Sequence, residues 1–331
     1  MPAPRQSGTP RVLVTGAGSA PGISAIKALA GQGFEVRTAG HGPYMPGLYM
    51  VDRSYVLPRA SDPRFADAVR EVVERERIDV VLPVIDDEIA ALSAKRHRFR
   101  DGVLAIGSTS SVDACLDKWV LHERVRDVLP VPVTRLGSRV DDEGPTGTCV
   151  VKPRRGSAAK GVRVLRQPPR SLGDDVVVQE HLPGDEVSVD VFVNADGQAI
   201  AAVPRMRLST ELGVSSCGCT FRDPLLEQLA LDAMATVGLR GVANVQFRFD
   251  ADGDARLLEI NPRVSGGMAL TVAAGANLPL LAVREALGER VDDPVEFREL
   301  AMVRYREEVF LDPRDLLGEV VTDADLHRRH A

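Results

Sequence analysis

Apolar and polar residues alternate through residues 242–250 (VANVQFRFD) and again through residues 255–261 (ARLLEIN), with Asp252-Gly253 between them. Alternation marks half-buried strands, and Asp-Gly between two of them marks a hairpin. With those two residues as the turn, Gln246 falls opposite Glu259 and Asn244 opposite Asn261; a turn one residue longer shifts that pairing. Successive strand side chains point to opposite faces, so Glu259, Asn261 and Arg263 share one side, while Leu258 and Ile260 take the other. A carboxylate, an amide oxygen and a guanidinium in that order suit a polyphosphate held through a hard cation. The plainer reading is an Asn-Pro that ends a strand beside a solvated Glu259.

The pattern differs near the N-terminus. Residues 11–40 read as an apolar strand, a glycine-rich turn, a helix with Pro21 in its first turn, and a second strand, which opens a doubly wound parallel sheet. The glycines at 16, 18 and 22 are spaced GxGxxxG rather than GxGxxG, and the second strand ends in Thr38-Ala39-Gly40 without an acid for a ribose. They are read as scaffold. Residues 62–77 form an amphipathic helix, and residues 78–84 (IDVVLPV) a buried parallel strand. Asp86-Asp87-Glu88 cap the next helix, with a second role open for Asp86 or Glu88 in gripping a substrate amine. A strand over 104–107 and one helix over 111–128 complete this part.

Next come hairpins. Residues 148–165 (TCVVKPRRGSAAKGVRVL) read as strand, loop, strand, with Lys152, Arg154, Arg155 and Lys160 around small residues. Such a loop lets backbone N–H groups approach phosphate oxygens while the cations neutralise them; a plain basic surface hairpin fits equally well. Residues 176–194 read as strand, turn at Pro183-Gly184, strand, where backbone groups can face an adenine edge and Glu186 both ribose hydroxyls. Residues 199–207 form a strand entering a polar loop, 208–220, with Arg205 and Arg207 at its entrance as candidates for a carboxylate or phosphate. A helix over 225–237, the hairpin already described, two short helices and a last strand over 303–311 follow. The charged tail beyond residue 312 has no assignment.

Composition narrows the classes. The 331 residues suffice for two or three domains, and a net charge of -6 with 27% charged residues argues against nucleic acid as partner. Neither a membrane-length apolar run nor a signal-peptide core is seen, so a cytoplasmic enzyme without a membrane partner is expected. Cys115, Cys149, Cys217 and Cys219 make no CxxC pair; Cys217-Gly218-Cys219 fits small residues in a loop better than a metal or redox site. Only lysines 27, 95, 118, 152 and 160 stand among 41 basic residues, so each invites a reason.

Lys118 after an aspartate, Lys152 before a glycine-rich lid, QEHLPGDEVSVDVF, VQF and LLEINPRVSGG, in that order, resemble the ATP-grasp superfamily. The nearest likeness is to its branch related to the carbamoyl phosphate synthetase large subunit and to small amino-acid ligases, from about residue 12 to 311. The resemblance implies an α/β chain, α+β in its C-terminal part. It runs as a tail (1–10), a Rossmann-like pre-ATP-grasp domain (11–115), a lid subdomain (116–182) and a C-terminal subdomain (183–331), the last two clamping ATP.

By the same resemblance Lys118 and Lys152 hold the α- and β-phosphates, and Gly156, Ser157, Ala158 and Gly161 belong to the lid over the γ-phosphate, with Lys160 a phosphate contact. Glu180, His181, Leu182 and Leu258 border the adenine, and Glu186 holds the ribose. Gln246, Glu259 and Asn261 ligate one or two Mg2+ ions, for which Mn2+ can substitute, and Arg263 orients the phosphate. Gln246 departs from the acid found in many members, which loosens one of two metals. The implied reaction joins a carboxylate to an amine through an acyl phosphate, with ADP and phosphate released, an amino acid as one substrate and a homodimer as the assembly. Arg205, with Arg207 behind it, is read as the group holding that carboxylate. The rivals are a bicarbonate-using carbamoyl phosphate synthetase or carboxylase, an NADP-dependent oxidoreductase resting on the N-terminal glycines, and a non-catalytic nucleotide-binding protein.

Overall fold

The computed structural model describes residues 8–140, 144–156, 160–170, 172–211, 214–311, 316 and 320–321. β1 (Arg11–Val14), α1 (Ala20–Leu29), β2 (Glu35–Gly40), β3 (Ser54–Val56), α2 (Phe65–Glu76), β4 (Val80–Leu82) and α3 (Asp86–Ala94) build the N-terminal part. Two helices, α4 (Thr109–Leu116) and α5 (Lys118–Val125), lead to a four-stranded antiparallel sheet of β5 (Thr134–Leu136), β6 (Cys149–Pro153), β7 (Arg163–Leu165) and β8 (Val176–Glu180). A six-stranded antiparallel sheet follows from β9 (Glu186–Val193), β10 (Ala199–Glu211), β11 (Val214–Thr220), β12 (Gly241–Phe249), β13 (Ala255–Asn261) and β14 (Ala301–Val303). α6 (Pro224–Val237) precedes β12, and α7 (Met268–Ala273) and α8 (Leu278–Ala286) follow β13. β15 (Val320–Val321) returns to the first sheet, whose order is β15-β3-β2-β1-β4, all parallel.

The parallel sheet and the six-stranded sheet share one core. Val12, Val14, Val80 and Leu82 pack with Phe192, Val203, Leu278 and Val283 in a single buried cluster. Interiors packed to crystal-like density transmit position, so the carboxyl end of the parallel sheet is fixed against the late hairpin. The other face of the six-stranded sheet (Val187, Val189, Val191, Val245, Phe247) is covered by α5 and α6.

The structure corrects several expectations. Residues 104–107 form no strand: Leu104 makes one isolated bridge to Val81, flanked by two backbone hydrogen bonds. The helix expected over 111–128 is broken at Asp117, which is extended (φ -118, ψ 106) and caps α5 by accepting from the amides of Trp119 and Val120. An aspartate favours a cap over a helix interior because its side chain competes for backbone donors. Of the loop expected over 208–220, residues 208–211 belong to β10 and 214–220 to β11, paired antiparallel; their polarity does not record irregular backbone. The strand expected over 303–311 is β14, which stops at Val303, and residues 304–311 carry no strand.

The glycine-rich turn after β1 is packed by its own chain. A Cβ on Gly22 would lie 2.3 Å from the Gly16 carbonyl oxygen, and the Met45 sulfur would lie 2.4 Å from a Cβ on Gly40. Ser19 caps α1 by accepting from the Gly22 amide at 3.1 Å.

Candidate active site

The two halves of the chemistry meet in one cleft of about 540 Å³ between the four-stranded and six-stranded sheets, with Asp86 at its N-terminal side. Strand alternation explains its floor. Glu186, Ser188 and Asp190 on β9, Asn244, Gln246 and Arg248 on β12, and Arg205 and Arg207 on β10 lie at every second position, while the intervening residues of β9 and β12 fill the core. Gln246 pairs with Glu259 and Asn244 with Asn261, as the alternation predicts. The turn, however, is longer than Asp252-Gly253. Phe247 pairs with Leu257, so the register is displaced by one near the turn and restored by an irregularity at Leu258. That extra residue reverses one expectation: Leu258 lines the cleft beside Glu259, whereas Ile260 points into the core.

Lys118 and Lys152 arrive from the other side. The Lys118 ammonium lies 3.7 Å from a Glu259 oxygen and donates to the Gly156 carbonyl at 2.8 Å. Asp117 sets up this arrangement, since its carboxylate receives Arg154 Nε at 2.7 and 2.8 Å and Arg155 at 3.3 Å, which pins the start of the basic loop to the N-terminus of α5. Burial raises the Asp117 pKa, but the Arg154 hydrogen bond, the Val120 amide and the charges of Arg154 and Arg155 together outweigh it and hold the carboxyl below its usual value. Lys152 is buried and donates to Gln179 Oε1 at 2.9 Å. Burial pushes it down to about 8; Lys118 adds to the drop, and Glu259 and Glu186 oppose it.

Gly156, Glu180, His181, Leu182 and Glu186 line the same cleft, as does Lys160, whose side chain is exposed. Gly161 has a left-handed φ of 75°, which favours glycine. Ser157 and Ala158 lie outside the described residues. Glu180 turns its carboxylate to the Val133 amide at 3.1 Å, and Glu186 is paired with Arg207 and, at 3.9 Å, with Arg248.

Arg263 forks onto Asp86, Nε to Oδ1 at 2.8 Å and Nη2 to Oδ2 at 3.0 Å, and also donates to Asn261 Oδ1 at 3.1 Å. Burial disfavours its charge, but Asp86, with Glu259 and Asp190 behind it, more than compensates and its pKa is raised. Asp86 therefore acts through this pair rather than as a helix cap, for which the N-cap position belongs to Ile85 without a side-chain bond. Glu88, also expected to cap, is buried and accepts from Thr15 Oγ1 at 2.5 Å; burial pushes it up to about 7 against that bond.

Arg205 is not an open cation. Its fork binds Asp190 at 2.8 and 3.0 Å and reaches Ser265 Oγ at 3.1 Å, with both partners buried. Asp190 also receives Asn244 Nδ2 at 2.8 Å and Thr271 Oγ1 at 2.6 Å. A Cβ on Gly267 would lie 2.1 Å from Arg205 Nη1, so glycine is required there for the guanidinium to fit. Removing one partner of a buried pair strands the other. Asp190→Ala is expected to lower unfolding free energy by about 3 kcal/mol in urea titrations; a loss below about 1 kcal/mol would remove the network from the account.

Glu259, with the amide oxygens of Gln246 and Asn261, offers hard donors of the kind Mg2+ takes. The set holds one acid, and among the described residues no group of three His, Cys, Asp or Glu could hold a metal. Cys217 and Cys219 are free thiols on β11 that pair with β14 at Val303 and Ala301. Asp190 and the Asp86–Arg263 pair escaped the sequence reading. Asp190 left a signal, because Glu186, Ser188 and Asp190 are the polar positions of an otherwise valine-rich strand; Asp86 left none that named its partner, 177 residues away.

Residues 173–309 match a family described as ATP-grasp in the biosynthetic pathway with Ter operon, and residues 12–106 match the PylC-like N-terminal domain. The carbamoyl phosphate synthase large chain of Methanoregula boonei is 27% identical over 314 residues, 82% of this chain and 28% of that one. This chain spans 28% to 54% of the curated relatives it matches here. Two solved structures share the fold. The biotin carboxylase domain dimer of Hydrogenobacter thermophilus 2-oxoglutarate carboxylase, in complex with MgADP, ADP and bicarbonate, superimposes with a TM-score of 0.71 at 14% identity over 87% of this chain and 72% of that one. The L-amino acid ligase of Bacillus licheniformis gives 0.65 at 16% identity over 85% and 75%.

Proposed function

We infer the activity from the premise that this chain carries an ATP-grasp domain of the ligase type behind a PylC-like N-terminal domain. It is an ATP-dependent carboxylate–amine ligase that forms an amide through an acyl phosphate, with an amino acid as one substrate. The observation that carries this reading is the single cleft in which Lys118, Lys152, Glu259 and Arg263 meet.

Phosphoryl transfer needs alignment and charge neutralisation more than covalent catalysis. Lys118 and Lys152 supply cations for the phosphates, and Glu186 accepts the ribose hydroxyls once Arg207 gives way. Leu182 and Leu258 give the adenine apolar walls. Arg263, held in one orientation by Asp86, steers the transferred phosphoryl group. Gln246, Glu259 and Asn261 would hold Mg2+ or Mn2+, which when bound neutralises phosphate charge; one acid among three ligands fits one tight ion and a looser second. A lid between Gly156 and Gly161, as the ATP-grasp resemblance implies, would keep water from the acyl phosphate. Arg205, already neutralised by Asp190, shapes the carboxylate end instead of binding it alone. A homodimer and small-molecule substrates complete the reading. Among the described residues no helix is long and apolar enough to cross a membrane.

The likeness to carbamoyl phosphate synthase favours a second reading, in which bicarbonate is the carboxyl substrate. One screen tests both: phosphate release from Mg-ATP with paired amino acids and carboxylic acids, and with bicarbonate plus each amine. Release above the bicarbonate-free blank only with amino-acid pairs is expected. Release only with bicarbonate would transfer the assignment to the second reading, and no release with any pair would remove both.

A further inference from the structure

The Gly266–Gly267 peptide lies between two arginines. Arg205 packs against Gly267, where its Nη1 takes the place of a Cβ. Arg304 comes from the end of β14: its amide donates to the Ser216 carbonyl at 2.8 Å, and its Nη2 donates to the Gly266 carbonyl at 2.8 Å. Cross-strand pairing sets Arg207 beside Gly218 and Gly218 beside Met302; Arg304, one residue past the end of β14, reaches the cleft wall at the Gly266 carbonyl. The chain just after it is held by Arg306 to Glu211 at 2.5 Å and by Glu307 to Lys27 at 3.6 Å.

Charge is what distinguishes this corner. Arg205 is matched by Asp190 and Arg263 by Asp86, whereas Arg304 has no carboxylate within ion-pair distance among the described residues. Burial, and after it the neighbouring Arg205, lower the Arg304 pKa. Arg263, by contrast, feels Asp86, Glu259 and Asp190. Arg304 follows β14 at one edge of the six-stranded sheet and Glu259 lies on β13 at the other, so Arg304 stands away from the carboxylate that would be phosphorylated. A half-buried guanidinium with only a carbonyl on its fork favours an anion, and a carboxylate matches its planar geometry.

We propose that Arg304, beside Arg205 across the Gly266–Gly267 peptide, is the specificity-determining group for a second, non-reacting carboxylate, so that one substrate of the ligation carries a free carboxylate that survives the reaction. This rests on the ligase reading. The carboxylate can belong to the amine partner, as in an amino acid, or to the acid partner, as in a dicarboxylic acid.

The test compares wild type and Arg304→Gln in phosphate release from Mg-ATP, with each amine partner supplied as free amino acid and as its carboxamide, and each acid partner as dicarboxylate and as its mono-amide. Wild type is expected to favour the free carboxylate by roughly 10- to 100-fold in kcat/KM on one partner only, which identifies the source. Arg304→Gln is expected to bring that preference to within about threefold, with Mg-ADP affinity by calorimetry unchanged, and Arg304→Lys to retain part of it. A preference kept by Arg304→Gln, or absent from wild type, overturns the proposal. Phenylglyoxal labelling of Arg304, read by peptide mass spectrometry, separates the two failures. Protection by a mixture of free amino acids and dicarboxylic acids but not by their amides, without phosphate release, keeps the subsite and discards the ligase reading; absence of protection discards the subsite.

Discussion

Arg263→Ala is expected to lower turnover by about 10³-fold while leaving Mg-ADP affinity within a few-fold of wild type, because the guanidinium acts on the phosphoryl group being transferred rather than on the nucleotide already held by the lysines. The same change leaves Asp86, 11% exposed at its side chain, without its counter-ion. An uncompensated carboxylate at that depth costs roughly 2–4 kcal/mol, read as a lower urea midpoint. Adding Asp86→Asn to Arg263→Ala is expected to recover most of the stability and none of the turnover, since it removes the stranded charge without restoring the guanidinium. Turnover of the single variant within tenfold of wild type would mean that the Asp86–Arg263 fork only joins the two sheets.

The second large effect is a pH dependence carried by Lys152. Its pKa in the folded protein is about 8, against 10.5 for the unperturbed group, with burial as the main cause. The unfolded chain therefore binds more protons between those values. On this account, folding stability rises with pH from about 8 to 10.5 and is lowest below 8, where the folded protein carries the buried charge. Nucleotide binding has the opposite sign. Phosphate beside the ammonium raises its pKa, so the complex takes up a proton and affinity falls as pH rises through 8. The Kd for Mg-ADP is expected to increase by up to about tenfold per pH unit above that point. Calorimetry in buffers of different ionisation enthalpy should show uptake approaching one proton near pH 9. Lys152→Gln is expected to weaken binding by about 10²-fold and to flatten this slope. A slope that survives the substitution belongs to another group.

Much of this was legible from local pattern. Alternation through 242–250 and 255–261 located β12 and β13, and the pairs Gln246–Glu259 and Asn244–Asn261 followed from the Asp-Gly turn. Both pairs form although the turn is longer, because the irregularity at Leu258 restores the register; an inserted residue has no alternation signal of its own. The scarcity of lysine pointed at Lys118 and Lys152, and both line the cleft. Pattern failed where polarity had two causes. Residues 208–220 read as a loop, yet 208–211 and 214–220 are paired strands, and exposed or cleft-lining side chains such as Ser209, Thr210, Glu211 and Ser215 are polar for that reason. Likewise Asp117 read as one residue of a long helix, when its side chain ends one helix, starts another and holds Arg154.

Strand and turn propensities act over a few residues, so the amino-acid order alone settled the parallel N-terminal sheet, the late hairpin and the residue types facing the cleft. Charge partners were another matter. Asp86 meets Arg263, Asp190 meets Arg205, and Arg304 stands beside Arg205 without an acid only because the core of Val12, Val80, Phe192 and Leu278 locks the two sheets in one relation. Which charge neutralises which depends on distances across that packed interface, and no spacing along the chain encodes them.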